Sequence, residues 1–236
     1  MAGRGYQKDG GAPPVTDAPR VDWATVRQLP TDGLHVWRIA LLPAPSPSVA
    51  MTLPAEELAR AGRLVDPAAR ERFLALRQAL RAILARYVNS APEGLRFGQE
   101  ARGKPFLVEP PSDWAFNLSD SRDLALLAVS RTGPVGVDLE HLRTVPRRDG
   151  IARRIFTTEQ VAALDASPAE ARDALFFQHW TAFEALQKAT GAGLAGPRAD
   201  PAAWRVRHFV PTPGCIAALA HGAALDTEIL FLSYAG

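Results

Sequence analysis

Two acidic residues, Asp138 and Glu140, stand in the segment 136–140, which reads Gly-Val-Asp-Leu-Glu and alternates like a β-strand. Side chains two positions apart on a strand point to the same face. Two adjacent carboxylates repel each other unless a positive charge lies between them. A hard divalent cation such as Mg²⁺ prefers oxygen ligands, so the pair predicts either a metal site or two solvated acids at a strand end.

A third acid, Glu184, precedes Lys188 by four residues in a segment with helical periodicity. Positions i and i+4 share one face of a helix, so the two side chains can form an ordinary ion pair or face a substrate together. The chain has only three lysines among its 27 basic residues, Lys8, Lys104 and Lys188. Each lysine is therefore of interest, because a compact ammonium is not equivalent to a guanidinium.

Residues 116–121, Phe-Asn-Leu-Ser-Asp-Ser, form a third candidate for binding. They predict a strand that ends in small polar residues, followed by a polar bend over residues 119–123. Ser119 and Asp120 could hold a phosphate or a nucleotide there. Polar residues of this kind also mark ordinary turns, so both interpretations stay open.

The composition excludes several classes of protein. Apolar residues make up 47% and charged residues 22% of the 236 residues, which excludes collagen, a long coiled coil and wholesale disorder. The net charge of +2 falls far short of the basic surface of a nucleic-acid-binding protein. The sequence shows neither a membrane span nor a secretory signal, so we expect a soluble, cytoplasmic protein. The single cysteine, Cys215, excludes a disulfide framework and a Cys-rich zinc site, and we expect it in the core.

The elements that must position these residues fall into two similar sets. Residues 1–32 are rich in Gly, Pro, Asp and Ala, and they predict a flexible tail. Two packed α+β halves, residues 33–133 and 134–236, fit the remaining pattern, with a ligand cleft between them. Helices are predicted over residues 54–88 and over residues 168–190, and a further helix is predicted to begin at Thr158. Predicted strands cover residues 35–42, 95–97, 105–108, 114–118, 124–129, 135–139, 204–209, 215–220 and 228–232.

In order and spacing, five segments resemble the 4′-phosphopantetheinyl transferase superfamily, in particular its longer, pseudo-dimeric Sfp-type members. The resemblance covers roughly residues 33–236. It is carried by Gly103-Lys104-Pro105, by residues 116–121, by residues 136–140, by Phe156-Thr157-Thr158-Glu159, and by residues 180–188 followed by Gly191, Gly193 and Leu194.

The resemblance implies a fold and a reaction. Such enzymes are α+β proteins with the active site in the cleft between the halves. They transfer the phosphopantetheine arm of coenzyme A to a serine of an acyl or peptidyl carrier protein and release 3′,5′-ADP. A pseudo-dimeric member has no need to pair, so the resemblance implies a monomer.

The resemblance also implies roles for single residues. Asp138, Glu140 and Glu184 would bind Mg²⁺ against the pyrophosphate, and Glu184 would also deprotonate the carrier serine. Lys188 would contact the transferring phosphate, while Lys104 and Ser119 would face the phosphates of coenzyme A.

Two positions depart from the family pattern. Asp120 stands where the family has a histidine associated with the coenzyme phosphate, and Phe183 replaces a lysine beside the metal site. Both changes remove positive charge, and an ionised Asp120 would repel a phosphate. An alternative is therefore a different enzyme on the same fold, in which Asp120 joins the carboxylate cluster as a general acid or base. A non-catalytic carrier-binding protein is a further alternative.

A basic stretch follows the acidic strand. Carrier proteins are acidic, so this stretch would steer them towards the site, although it can also be a solvated helix face. Its members are Arg143, Arg147, Arg148, Arg153 and Arg154.

Overall fold

Two β-sheets lie face to face, and each is covered on its outer side by a long helix. The computed structural model describes residues 18–26, 28–30, 32–41, 53–193, 196–224 and 228–234. The strands are β1 (Leu34–Ala40), β2 (Arg96–Gln99), β3 (Pro105–Glu109), β4 (Ala115–Ser121), β5 (Leu124–Ser130), β6 (Val135–His141), β7 (Trp204–Phe209), β8 (Cys215–Gly222) and β9 (Ile229–Tyr234). The helices are α1 (Ala55–Gly62), α2 (Pro67–Tyr87), α3 (Arg148–Ile155), α4 (Thr158–Ala166) and α5 (Ala169–Thr190). The predicted α+β class is confirmed.

The first sheet has the order β4-β5-β1-β9, and the second has the order β6-β8-β7. All neighbours are antiparallel except β1 and β9, which run parallel with Leu34 opposite Ile229. A separate hairpin, β2–β3, completes the set of strands in the described residues. The last strand therefore departs from the predicted division at residue 134, because β9 adds to the sheet of the N-terminal half.

The core has apolar layers on both sides of each sheet. Trp37 and Leu127 pack with α2 on the outer face of the first sheet, while Val36 and Leu126 face the second sheet. On the second sheet, alternation places Val137 between the sheets. The side chain of Cys215 is buried in the same inter-sheet core, which confirms its structural placement, and burial raises the pKa of its thiol to about 11.

The predicted helix over residues 54–88 is two helices. Asp66 is the N-cap of the second helix, and its carboxylate accepts hydrogen bonds from the amides of Ala68 and Ala69. Pro67 follows at the first helical position. The helix predicted to begin at Thr158 does so, with Thr157 and Gln160 forming a capping box.

A buried arginine on α2 fixes the start of the β2–β3 hairpin. Arg81 is 2% exposed, and it donates to the carbonyl oxygens of Pro92 and Leu95 at 3.0 and 2.9 Å. Its charge is balanced by Glu57 of α1, at 2.9 Å. The hairpin, which carries Lys104, is thereby tied to the rigid helix layer.

Two sequence predictions about loops differ from the structure. The polar bend over residues 119–123 is wrong in its first three positions, because Ser119 pairs with Leu126 and β4 continues to Ser121. Only Arg122 and Asp123 form the turn, with Arg122 in the left-handed region at a φ of 56°. Ser119 and Asp120 therefore stand on a rigid strand.

Part of the predicted tail packs against the body of the protein. Trp23 contacts Phe209 and Phe231 of the two sheets, and its indole nitrogen donates to the carbonyl of Pro211 at 3.2 Å. Residue Ala24 forms a bridge with Leu232. The composition of this segment predicted a tail because composition alone does not show that a single large aromatic side chain packs against the sheets. Residues 1–17, 27 and 31 of that prediction lie outside the described residues, as does Leu194.

Candidate active site

The edge strands of the two sheets are joined by side chains of β4. Asn117 accepts a hydrogen bond from the amide of Val137 at 2.8 Å, and Ser119 accepts one from the amide of Leu139 at 3.3 Å. The Ser119 hydroxyl also donates to Oδ1 of Asp138 at 2.9 Å. The small polar residues that suggested a turn thus fix the position of β6 against β4.

Helix α5 approaches β6 unusually closely at Gly136. A Cβ atom at this position would overlap the carbonyl oxygen of Ala185 and the amide nitrogen of Ala189. Only glycine permits this contact between two backbones. This close approach places Glu184 and Lys188 of α5 next to Asp138 of β6.

Lys188 lies at the centre of these residues. Its ammonium donates to Asp138 Oδ1 at 2.6 Å, to Ser119 Oγ at 3.1 Å and to the carbonyl of Val137 at 3.3 Å. Glu184 Oε2 lies 3.9 Å away. The structure therefore brings together Ser119, Asp138, Glu184 and Lys188, four of the residues singled out in the sequence.

The acids of the site differ in their electrostatic state. The pKa of Glu184 is raised to about 7, first by burial and then by the carboxylates of Asp138 and Glu140, while Lys188 opposes the rise. Asp138 is 4% exposed, and its Oδ2 is buried without a hydrogen-bond partner among the described residues. A buried carboxylate oxygen without a partner is costly, so Asp138 keeps one unsatisfied acceptor although Lys188 pairs with its other oxygen.

Glu140 is held apart from the other two acids. Its Oε2 accepts from Arg143 at 2.8 Å, and the Arg143 guanidinium lies over the Phe177 ring at 4.7 Å. In the part of the chain that the structure describes, no three His, Cys, Asp or Glu side chains stand close enough to form a metal site together. The donor chemistry still fits a hard cation, because Asp138 offers an unpartnered oxygen and Glu184 suffers repulsion from two carboxylates.

A cleft of about 260 Å³ opens beside these residues. Its walls come from the tip of the β2–β3 hairpin, from β4, from α5 and from the loop after α5. The lining residues are Arg102, Gly103, Lys104, Pro105, Asn117, Leu118, Glu184, Gln187, Lys188, Gly191 and Gly193.

Lys104 lies deep in this cleft. Its ammonium donates to the carbonyl of Ala189 at 3.0 Å and to that of Val135 at 3.4 Å. Burial lowers the pKa of Lys104, although the charge of Glu100 opposes the effect. The side chain therefore braces the end of α5 and adds positive charge to the cleft.

Asp120 has an exposed side chain and follows Ser119 on β4. Partial desolvation raises the pKa of its carboxyl, while the charges of Lys188 and Arg72 lower it. Arg72, on α2, was missed by sequence reasoning, because no spacing rule connects an arginine of that helix with β4. Phe183 packs against Trp180, with ring centroids 6.3 Å apart, and places no charge near Glu184.

The predicted basic stretch divides into two groups. Arg143 and Arg148 form ion pairs, with Glu140 and with Asp149 and Asp173 respectively. Arg147, Arg153 and Arg154 are exposed and form no ion pair within the described residues. These three can meet a partner without breaking an internal contact.

Comparisons with known proteins agree with the motifs. Residues 134–229 match the family model of the 4′-phosphopantetheinyl transferase superfamily. The 4′-phosphopantetheinyl transferase HetI of Nostoc sp. is 39% identical over 208 residues, which cover 80% of this chain and 88% of that protein. A putative 4′-phosphopantetheinyl transferase of Synechocystis sp. is 40% identical over 152 residues, 64% of this chain and 61% of the relative. A 4′-phosphopantetheinyl transferase of Bacillus subtilis is 30% identical over 118 residues, about half of each chain.

Proposed function

This chain belongs to the 4′-phosphopantetheinyl transferase superfamily, and from that premise we propose that the cleft beside α5 is its active site. The protein is a transferase that moves the phosphopantetheine arm of coenzyme A to carrier proteins. The observation that carries the location is the convergence of Ser119 and Asp138 on Lys188, which lines the cleft together with Glu184.

Asp138, Glu140 and Glu184 would hold a Mg²⁺ ion. The unpartnered Oδ2 of Asp138 and the raised pKa of Glu184 support this set, since Lys188 is the one cation that these two acids share among the described residues. When bound, the ion would neutralise negative charge on the pyrophosphate of coenzyme A. Glu140 would have to release Arg143, an exchange of partners at a half-exposed position.

Glu184 would take the proton from the hydroxyl of the carrier serine. A carboxylate with a pKa of about 7 combines an appreciable ionised fraction near neutral pH with the basicity that proton transfer requires. The serine oxygen then attacks the β-phosphorus, and 3′,5′-ADP leaves. Lys188, which now binds Asp138 and Ser119, would place its ammonium against the transferring phosphate.

Lys104 and Ser119 would face the phosphates of coenzyme A. Lys104 lines the cleft, and within the described residues its ammonium is hydrogen-bonded to neutral carbonyl groups, so its charge is available to an anion. Arg72 would supply positive charge beside Asp120, where the family pattern has a histidine. Asp120 would thus lie beside the coenzyme, and the positive charges of Lys188 and Arg72 would offset its negative charge.

Carrier recognition would use the exposed arginines of α3 and of the residue just before it. Arg147, Arg153 and Arg154 follow the metal-site strand and are unpaired within the described residues, so an acidic carrier protein would be steered towards the cleft. We further propose that the enzyme works in the cytoplasm as a monomer, since one chain supplies both halves of the cleft. None of the described helices has the length and apolar character that crossing a membrane requires.

The test is the intact mass of apo-carrier proteins after incubation with coenzyme A, Mg²⁺ and the enzyme. We expect each accepted carrier to gain one phosphopantetheine arm, and we expect a chelator or the substitution Glu184→Ala to abolish the gain. Glu170→Ala is the matched control, because Glu170 is exposed in the first turn of the same helix. Normal transfer by Glu184→Ala would refute the assignment of the site.

A further inference from the structure

The two sheets meet along two seams, one at each pair of edges. At the first seam β4 lies against β6, and side chains of β4 accept hydrogen bonds from the amides of Val137 and Leu139. At the second seam β9 and β7 form no backbone hydrogen bond within the described residues. The rings of Phe209 and Phe231 meet there, with centroids 5.0 Å apart. The second seam therefore depends on side chains and on the segment that covers them.

Residues 18–26, which we call the N-terminal strap, cover the second seam. The amide of Val210, just after β7, donates to the carbonyl of Pro19 at 3.0 Å. Further along the strap, the amide of Ala24 donates to the carbonyl of Phe231 in β9 at 2.9 Å. One short segment is thus hydrogen-bonded to the strands on both sides of the seam.

Trp23 lies between these two attachment points and packs against both rings of the seam. Its ring centroid is 6.4 Å from that of Phe209 and 5.5 Å from that of Phe231. Its indole nitrogen and the guanidinium of Arg38 both donate to the carbonyl of Pro211, at 3.2 and 3.4 Å. The same guanidinium lies over the indole ring, 4.9 Å from its centroid. Trp23 is therefore fixed by groups of both halves, since Arg38 belongs to β1 and Pro211 follows β7.

A change at the second seam is transmitted to the first, because two packed sheets can change their angle by turning about the seam that is hydrogen-bonded. That seam contains part of the candidate site. Ser119 of β4 donates to Oδ1 of Asp138 on β6 at 2.9 Å, and it accepts from Lys188 at 3.1 Å. A different angle between the sheets would displace Ser119 from the other two residues. A displacement of about 1 Å can cost on the order of a hundredfold in rate.

We propose that the N-terminal strap sets the angle between the two sheets and so positions Ser119 against Asp138 and Lys188, with Trp23 as its positioning residue. The proposal rests on the proposed function and adds a residue that governs the geometry of the site without contacting a substrate. Trp23 acts at a distance, because the second seam lies at the opposite edges of both sheets from β4 and β6.

Hydrogen exchange at the first seam, followed residue by residue with NMR, tests this without any substrate. In Trp23→Ala we expect the amides of Val137 and Leu139 to exchange roughly tenfold faster than in the wild type, relative to the amides that pair β1 with β5. Trp23→Phe should restore most of the protection, because its ring still fills the seam. Phe73→Ala is the matched control: Phe73 is a half-buried aromatic residue of α2 that packs against Arg60 of α1, so both amides should keep their protection.

Transfer kinetics provide a second measurement. We expect kcat of Trp23→Ala to fall roughly tenfold, because Ser119 no longer holds Asp138 and Lys188 in one arrangement. The KM for the carrier should stay unchanged, since the arginines proposed to meet it lie at α3. A merely destabilised but folded enzyme would keep both constants.

Unchanged exchange at Val137 and Leu139 in a folded Trp23→Ala variant would overturn the proposal. So would an equal acceleration at all amides, because Trp23 would then contribute only to global stability. If Trp23→Ala does not fold, Trp23→Leu, which keeps more apolar volume, replaces it in the same measurements. Should the wild type transfer no arm, the proposed function fails, while the exchange measurements still decide the role of the strap.

Discussion

The ammonium of Lys188 lies 2.6 Å from Oδ1 of Asp138, while Oδ2 of the same carboxylate is buried without a partner. Ser119 holds the same Oδ1 from the other strand, at 2.9 Å. One oxygen of Asp138 is thus fixed by two donors, which orients the carboxylate. The other oxygen is free to bind the cation that we propose for this site.

Magnesium should therefore stabilise the protein, and the effect should depend on these acids. At a Mg²⁺ concentration a hundred times its Kd, the free energy of unfolding should increase by about 2.7 kcal/mol. Asp138→Asn and Glu184→Gln should lose most of this increase, because each removes a charged ligand. Thermal unfolding with and without Mg²⁺ measures the effect, with Glu170→Gln as the control on the same helix. An undiminished shift in both site variants would contradict the ligand assignment.

Asp120→His should strengthen binding of coenzyme A. The substitution replaces a carboxyl beside Lys188 and Arg72 with a side chain that carries no negative charge, so repulsion of a phosphate disappears. We expect the KM for coenzyme A to fall several-fold, with kcat within about a factor of two of the wild type. Steady-state kinetics at saturating carrier measures both constants. A collapse of kcat would instead place Asp120 in the chemistry, as the alternative of a repurposed acid–base enzyme requires.

Gly136→Ala should be strongly destabilising. The added methyl group would overlap the backbone of α5 at Ala185 and Ala189, and neither a strand in a sheet nor a helix backbone can move aside cheaply. We expect a loss of about 3 kcal/mol in the free energy of unfolding. Urea denaturation measures it, with Gly150→Ala as the control. Gly150 lies in α3 with open space around its Cα, so alanine there should be neutral or stabilise by about 0.5–1 kcal/mol. Equal stabilities of the two variants would refute the close approach.

Acid should weaken the fold through His179, a residue of α5 whose side chain is 3% exposed. Burial, followed by the charge of His208, lowers the pKa of His179 from its ordinary 6.5 to about 4, and its Nε2 has no hydrogen-bond partner. The unfolded chain therefore binds this proton more readily, and stability is lost as the pH falls from 6.5 towards 4. Between pH 7 and pH 5 the loss from this group is about 2 kcal/mol.

Urea unfolding of the wild type and His179→Gln at the two pH values measures this contribution. The variant should be less sensitive to acid by about the same 2 kcal/mol. His221→Gln, on β8, should reduce the sensitivity to acid by less, because the hydrogen bond of the His221 ring to the carbonyl of Gly222 opposes the burial that lowers its pKa. An identical pH dependence of His179→Gln and the wild type would show that His179 does not titrate as its burial implies.

Local periodicity was sufficient to pair the acids of the candidate site with their neighbours, whereas their proposed roles came from the family resemblance. The i, i+2 rule placed Asp138 and Glu140 on one strand face, and the i, i+4 rule placed Glu184 with Lys188. What periodicity could not supply was the partner of each group. Glu140 forms an ion pair with Arg143, which lies beyond the end of β6. This pairing depends on the path that the chain takes after the strand. Asp120 and Ser119 were assigned to a bend because polarity alone does not show that β5 continues beside them.

Arginines were harder to assign from sequence than lysines. Arginine is so frequent in this chain that neither Arg72 nor Arg102 stood out by type. Their proximity to the site depends on long-range packing, of α2 against the first sheet and of the hairpin against the loop after α5. The strand order of the first sheet was beyond sequence reasoning for the same reason, since β9 pairs with the most distant strand along the chain.

That pairing has a consequence for biosynthesis. Of the described strands, β1 is synthesised first and β9 last. The edge of β1 that pairs with β9 therefore stays unpaired while the strands between them are synthesised. Contacts so distant along the chain are slow to form, because the entropy of closing the intervening segment is lost before the contact is gained. The nascent protein is thus exposed to edge-to-edge association until its last strand arrives, and co-translational folding can complete the second sheet before the first.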